Sequence, residues 1–389
     1  MKKQTDRRKH NTAVKPTVMV LGGYGTFGSR ISRALCQKGF HVIITGRHFH
    51  QAQTLKHSIL ENDLNAQITV SCFDVHSQLG VHLKQLNPDL VIHTCGPFQG
   101  QNSEIAETII KAGIHYIDLS DDRNYVQHML TLNDLAQSHG VTAITGASTV
   151  PALSSAVLTY VQDKFAIDRF KTVKIGISPG QKTARGLATT KAVLSYIGRA
   201  LKPWPGNEKK HYGWQDTYLQ KYPNINNRLM GNCEAPDLDC LHQHFEIETL
   251  NFSAGMESKL LHRMIWLISW LVRLGLPVKL EKHAPWLLKT SRWFDGLGTE
   301  DGGMHVEFEV VIGKAKKDQH KTIKKTWFIE ATDNQGPQIP AIPAILMAEK
   351  ILKKQTGPGT QACVKLIQLD EYMNALNDFD VECFRSFLL

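Results

Sequence analysis

Six residues, Gly23-Tyr24-Gly25-Thr26-Phe27-Gly28, constrain this chain more than any other stretch. They follow a short apolar run at 17–21 that reads as a strand. They open an apolar-periodic stretch at 26–38 that reads as a helix stopped by Gly39. A lone Gly-x-Gly-x-x-Gly is a weak signal. Placed at the first strand-to-helix turn of an alternating domain, it is the fingerprint of a dinucleotide site. Gly23 permits the tight turn, Gly25 lets the backbone approach a pyrophosphate, and Gly28 lets the helix pack close to the strand. The unpaired N–H groups and dipole of the helix start then favour the anion.

From there the apolar pattern alternates between strand and helix. Strands are predicted at 17–21, 41–45, 67–73, 89–94, 115–119 and 141–145. Helices are predicted at 26–38, 49–61, 77–86, 103–112 and 124–138. TVMVL and LVIHT are apolar throughout, as strands covered on both faces are. The prediction is an α/β chain with a Rossmann-type parallel sheet over residues 16–150. After Pro151 the rhythm changes. Helices at 152–164 and 186–200, a region without clear period at 201–240, and strands at 171–177, 245–252, 304–312 and 322–331 predict a second, α+β domain over 151–339. Its sheet is expected to be mostly antiparallel. The 340–389 segment begins with a helix, 340–354.

Cofactor choice is read at the end of the second strand. An NAD site usually carries Asp or Glu there for the ribose 2′-hydroxyl. This chain has Thr45-Gly46-Arg47-His48, and no carboxylate before Glu61. Arg47 can pair with a 2′-phosphate through charge-assisted hydrogen bonds, so NADP(H) is expected over NAD(H). Tyr24, Thr26 and Phe27 ride on the glycine loop. Asp74, closing the third strand, is placed for the adenine side. Cys95-Gly96-Pro97, closing the fourth, lies along the cofactor, with Cys95 read as a small packed residue and not as a reactive thiol.

Hydride transfer needs a proton donor or acceptor beside the substrate. The fifth strand ends His115-Tyr116-Ile117-Asp118-Leu119-Ser120-Asp121-Asp122. Asp118 reads as a buried structural carboxylate. Asp121 reads either as an acid/base group or as a helix N-cap. The sixth strand ends in Thr145-Gly146-Ala147-Ser148-Thr149-Val150-Pro151, where Ser148 can meet ligand or serve the turn. A rival pattern is Tyr160-x-x-x-Lys164 with Ser148 twelve residues upstream, which resembles the short-chain dehydrogenases. There Ser orients, Tyr donates the proton and Lys lowers the Tyr pKa.

The formal charge of +9 is concentrated at the start, where residues 1–15 read as a disordered basic tail. Basic residues are not interleaved with aromatics further on, so no nucleic-acid partner is expected. Seven cysteines at irregular spacing, none in a Cys-x-x-Cys pair, fit free thiols in a reducing cytoplasm without a metal site. The 260–278 segment, LLHRMIWLISWLVRLGLPV, is uncharged only from Met264 to Val272, too short to span a bilayer. It reads as a buried or interface helix, or as a helix lying in a membrane surface with Trp266 and Trp270 at headgroup depth.

The motifs GGYGTFG, TGR, HTCGPF, HYIDLSDD and ITGASTVPALSS, in that order, resemble the saccharopine dehydrogenase-like oxidoreductases over residues 17–160. PDLD at 236–239, FSAGMES at 252–258 and GTEDGGMHVEF at 298–308 extend the resemblance more loosely. It implies an NADP-binding Rossmann domain, a second domain with a mixed sheet, and a C-terminal helix returning to the first. It also implies reversible hydride transfer at a carbon–nitrogen bond of a small molecule. A dicarboxylic amino-acid substrate would need cationic clamps. The second domain shows no paired Arg motif, and Arg185 is only the best single candidate, so saccharopine itself is not the expected substrate. The sequence therefore reads as a cytoplasmic NADP(H)-dependent oxidoreductase acting at a C–N or C=O centre, with a peripheral membrane contact and a homodimer both compatible with it. The alternatives are a short-chain-type reductase using Ser148, Tyr160 and Lys164, and a non-enzymatic NADP(H)-binding sensor or scaffold.

Overall fold

The computed structural model describes residues 15–165, 167–183, 186–276, 279–312 and 321–385. Apart from Lys15, the expected basic tail lies outside this set, as does Arg185. The first part of the chain runs β1 (Thr17–Leu21), α1 (Gly28–Gln37), β2 (His41–Gly46), α2 (Phe49–Leu60), β3 (Ile68–Cys72), α3 (Val75–Leu86), β4 (Leu90–His93), α4 (Glu104–Lys111), β5 (His115–Asp118), α5 (Arg123–Leu130), α6 (Asn133–Ser138) and β6 (Thr142–Thr145). The single helix expected at 124–138 is thus two. The chain turns at Thr131, whose hydroxyl donates back to the His128 carbonyl at 2.7 Å.

The second part runs α7 (Ser154–Phe165), β7 (Ile167–Ser178), α8 (Leu187–Ser195), β8 (Tyr218–Gln220), β9 (Arg228–Asn232), α9 (Asp237–Cys240), β10 (Ile247–Met256), α10 (Lys259–Arg273), α11 (Ala284–Ser291), β11 (Gly302–Ile312) and β12 (Lys321–Ala331). The chain closes with α12 (Ile342–Leu352), β13 (Gly359–Ala362), α13 (Leu369–Asn374) and β14 (Val381–Arg385). The helix expected to reach residue 200 ends five residues early, just before Gly198 at a φ of 67°. The region read as having no period holds β8, β9 and α9.

Two seven-stranded sheets result. The first is parallel, in the order β13-β6-β5-β4-β1-β2-β3. Its strands are apolar on both faces for a visible reason. Val18, Val20, Ile44, Ile92, Ile117 and Ile144 enter one core, while Met19, Leu21, Ile43, Val91, Tyr116 and Ala143 enter the core on the other side. The second sheet, β14-β12-β11-β7-β10-β9-β8, is antiparallel except where β10 runs parallel to β7. It shares the first of those cores through Phe170, Val173, Ile175, Val306 and Phe308.

The C-terminal segment serves both sheets. Helix α12 packs on α1 and β5, β13 extends the parallel sheet beside β6, and β14 edges the second sheet beside β12. Neither final strand carries an apolar period, so periodicity could not announce them.

Arg123 pins the two sheets' layers together. Fully buried, it grips Asp239 in a fork, Nε to Oδ2 at 2.9 Å and Nη2 to Oδ1 at 2.6 Å. It also donates to the carbonyls of Lys202 and Pro203 at 2.7 and 3.1 Å and approaches Glu234 at 3.3 Å.

Candidate functional site

In the parallel sheet the chain lays β2 and β3 on one side of β1, and β4, β5 and β6 on the other. The crevice beyond the carboxyl ends of β1 and β4, where the winding reverses, is where such sheets bind ligands. Both flanking turns are fitted there. A Cβ on Gly22 would stand 2.9 Å from the Thr94 hydroxyl and 3.0 Å from the Cys95 sulfur. Thr94 in turn donates to the Leu21 carbonyl at 2.8 Å.

The glycine loop closes through Gly25 N–H on the Gly22 carbonyl at 2.8 Å. A Cβ on Gly28 would lie 2.2 Å from that same oxygen, so α1 can begin only with glycine at this point. A Cβ on Gly25 would meet the Gly22 carbonyl oxygen at 3.1 Å and nothing else within 4 Å, which leaves an open approach to the backbone. No side chain caps α1, and its first turn holds no acidic residue. An uncapped helix start beside an open glycine is what a pyrophosphate requires, so these residues fit a dinucleotide.

The loop is tied to the cofactor-choice segment by Tyr24. Its ring lies over Gly46, where a Cβ would come within 2.3 Å, and its hydroxyl accepts the His48 N–H at 2.9 Å. Arg47, between those two contacts, is exposed at the rim. Asp74 is the N-cap of α3. Its carboxylate accepts the His76 N–H at 2.9 Å, and its own N–H goes to Gln78 at 3.2 Å, so a structural duty sits beside the adenine role read from sequence. Gln101 holds the Cys95-Gly96-Pro97 turn by donating to the Cys95 and Pro97 carbonyls at 2.8 and 2.6 Å. Burial pushes the Cys95 thiol up to about 12, against the smaller pull of Arg47, so it is a packed group and not a nucleophile.

Helix α8, from the second part of the chain, lies over this crevice. At its start, a Cβ on Gly186 would be 3.4 Å from the Thr26 hydroxyl, and one on Gly96 would be 3.4 Å from the Ala188 methyl. At its end, Tyr196 meets Gln99, whose amide nitrogen donates to the Tyr196 hydroxyl at 3.3 Å and to Asp121 Oδ1 at 3.0 Å. The Gln99 amide oxygen is buried with no hydrogen-bond partner among the described residues. Burial raises the Asp121 carboxyl and drives the Tyr196 phenol well above its ordinary range.

Asp121 is therefore not the cap of α5. Asp122 is, accepting the Tyr125 N–H at 2.7 Å. In two adjacent aspartates either could start the helix, and the backbone turn at Ser120 decided it. Sequence reading missed Gln99 and Tyr196. Gln99 directly follows the HTCGPF motif and could have been included with it. Tyr196 carries no local signal.

Asp118 is fully buried and organises the neighbouring loops. It accepts the Ser120 N–H at 2.9 Å, the Thr145 hydroxyl at 3.0 Å and the Gly146 N–H at 2.9 Å. Burial lifts its carboxyl to about 6. These bonds hold Ser120–Asp122 and the turn carrying Ser148 at the carboxyl ends of β5 and β6. Tyr160 and Lys164 are joined to each other at 3.0 Å, one turn apart on α7. Ser148 lies on the turn before α7, across the non-helical Val150. Among the described residues no cluster of three or more His, Cys, Asp or Glu could hold a metal ion.

Comparison with known proteins agrees with this geometry. Residues 18–144 match the family described as the saccharopine dehydrogenase NADP-binding domain. A search of curated proteins gives no match. Among solved structures, the apo saccharopine dehydrogenase (L-Glu forming) from Saccharomyces cerevisiae superimposes over 95% of this chain and 100% of its own, at a TM-score of 0.63 and 10% identity. It shares the fold. FolM alternative dihydrofolate reductase 1 from Brucella suis, solved with NADP, covers 33% of this chain and 74% of its own at 19% identity and a TM-score of 0.28. A betaketoacyl-[ACP] reductase from Bacteroides thetaiotaomicron covers 34% and 78% at 14% identity and a TM-score of 0.29. Residues 18–144 thus match an NADP-binding domain, and the two-sheet fold is shared with the yeast enzyme.

Proposed function

From a chain whose first sheet is a saccharopine dehydrogenase NADP-binding domain, we infer an NADP(H)-dependent oxidoreductase that moves hydride to or from a C–N or C=O carbon of a small molecule held beneath α8. The observation that carries this reading is the helix lying over the glycine loop at one end and over Gln99 and Asp121 at the other. The backbone N–H groups of the glycine loop and the start of α1 hold the pyrophosphate, and Arg47 takes the 2′-phosphate. Tyr24 and Asp74 flank the adenosine side, and Cys95-Gly96-Pro97 lines the other half. NADPH bound there supplies the hydride.

The chain's own residues handle the proton. Burial favours the protonated form of the Asp121 carboxyl, which makes it the acid that delivers a proton to the substrate nitrogen or oxygen. Gln99 orients that carboxyl through its amide nitrogen, while its unpartnered oxygen is free to accept a substrate N–H or O–H. Tyr196 closes the group from above, and Ser148 supplies a further hydrogen bond from the neighbouring turn.

The test is calorimetric binding of NADPH and NADH to the wild type and to Arg47→Ala, followed by NADPH oxidation over a panel of imines and carbonyls. Wild type should prefer NADPH, and the variant should lose roughly tenfold to a hundredfold in NADPH affinity, as the loss of a charged hydrogen-bond pair implies, with NADH affinity unchanged. Equal binding of both cofactors, or an unaffected variant, overturns the role of Arg47. Binding of neither overturns the reading as a whole.

A further inference from the structure

Helix α10 buries two polar side chains against the protein and turns a row of apolar ones to solvent. It rests on the body through His262 and Ser269, both fully buried. The His262 ring sits 5.2 Å from Trp214, and the Ser269 carbonyl lies so close over Gly198 that a Cβ there would stand 2.2 Å from it. The opposite face carries Leu260, Met264, Leu267, Leu271 and Leu274 at helical spacing, exposed by 59, 49, 57, 45 and 78%. Trp266 and Trp270 on the same helix add two indoles, 38 and 36% exposed. Apolar surface as continuous as this marks an interaction site.

Charge identifies the occupant. Between residues 259 and 292 the chain carries seven Lys or Arg against one carboxylate, Glu281, which Arg199 engages at 3.1 Å. A second copy of the chain placed on this face would set those cations against their equals. An anionic surface would be complemented by them. Helix α10 has fifteen residues, about 22 Å of length, and no helix among the described residues is long and apolar enough to cross a membrane. We propose that the exposed face of α10 lies on the surface of an anionic lipid bilayer, with the helix in the plane of the membrane. Its Leu and Met side chains and the two indoles sit at the headgroup–acyl boundary, and the surrounding cations sit over the lipid charges.

The test is flotation of the full chain with vesicles of phosphatidylcholine alone and of phosphatidylcholine mixed with phosphatidylserine, at low and high salt. Leu267→Glu/Leu271→Glu is run alongside, with its thermal midpoint as the control for folding. The wild type should partition at least about tenfold more strongly to the anionic vesicles, since each engaged cation is worth roughly a fivefold change, and salt should weaken the binding. The double variant should keep its thermal midpoint and lose the partitioning. Absence of binding, equal binding to neutral vesicles, or undiminished binding by a folded variant each overturns the proposal. So does a wild-type dimer in sedimentation that the double variant converts to a monomer, because a second copy would then cover the face. The wild-type comparison of the two lipid compositions decides the matter even if the variant fails to fold.

Discussion

Asp237 illustrates how strongly a single position can couple the fold to pH. It is fully buried at the start of α9 and accepts the hydroxyl of Ser154, the first residue of α7. Burial lifts its carboxyl from 3.8 to about 7, the Ser154 bond opposing the shift only in part. Between those values the native carboxyl retains a proton that the unfolded chain has released, so stability falls as pH rises, by up to roughly 1.4 kcal/mol per unit. Its contribution is fully present below about pH 4 and lost once pH passes about 7. Asp237→Asn should remove this slope. Denaturant midpoints of wild type and variant should converge towards acid and diverge in the variant's favour at neutral pH, and a constant difference across pH 5–7.5 would contradict the assignment. Asp118, raised to about 6, works in the same direction in both proteins and cancels in the comparison. Gly46 teaches the complementary lesson. Its requirement for glycine comes from the Tyr24 ring more than twenty residues away, not from its own turn.

At the scale of elements, the turns that build the site are held by short polar devices at helix starts. Asp74 caps α3 and Asp122 caps α5, while α1 is left uncapped. Several other helices also start without a side-chain cap, so what sets the start of α1 apart is the open Gly25 beside its unpaired N–H groups. Asp122→Ala should cost about 1 kcal/mol of stability through the lost cap, seen as a lower denaturant midpoint with the slope unchanged. If the loss is negligible, Ser120 and the loop bonds of Asp118 are holding α5 by themselves. Helix α8 contrasts with these. Its sequence, LATTKAVLS, shows no feature that assigns it to a site, yet it spans the crevice from Thr26 to Gln99. It gained this role from the strand that precedes it, which delivers it across the first sheet.

For the whole molecule, the buried fork between Arg123 and Asp239 is a polar tie across the two layers. Burial works against the charge, but Asp239 and Glu234 outweigh it and raise the guanidinium's pKa. Removing Arg123 strands two carboxylates in the interior. Arg123→Met should therefore cost about 3–5 kcal/mol, measured as a fall in the denaturant midpoint, and should weaken NADPH binding less than it weakens the fold. Full stability in the variant would mean that the shared apolar core holds the layers without it. The sequence by itself determined the parallel sheet and its order of elements, because two-sided apolar strands and glycine stops are local patterns. It also determined the glycine turn between β1 and α1 and the mostly antiparallel second sheet. Only the tertiary structure decided which aspartate caps α5 and which glutamine and tyrosine join Asp121. It alone revealed that β13 and β14 complete the two sheets, and that α10 turns its leucines outward. The cap follows from the local path of the turn at Ser120, and the others depend on partners distant in sequence or on which face of an element meets the core; spacing along one segment records none of these.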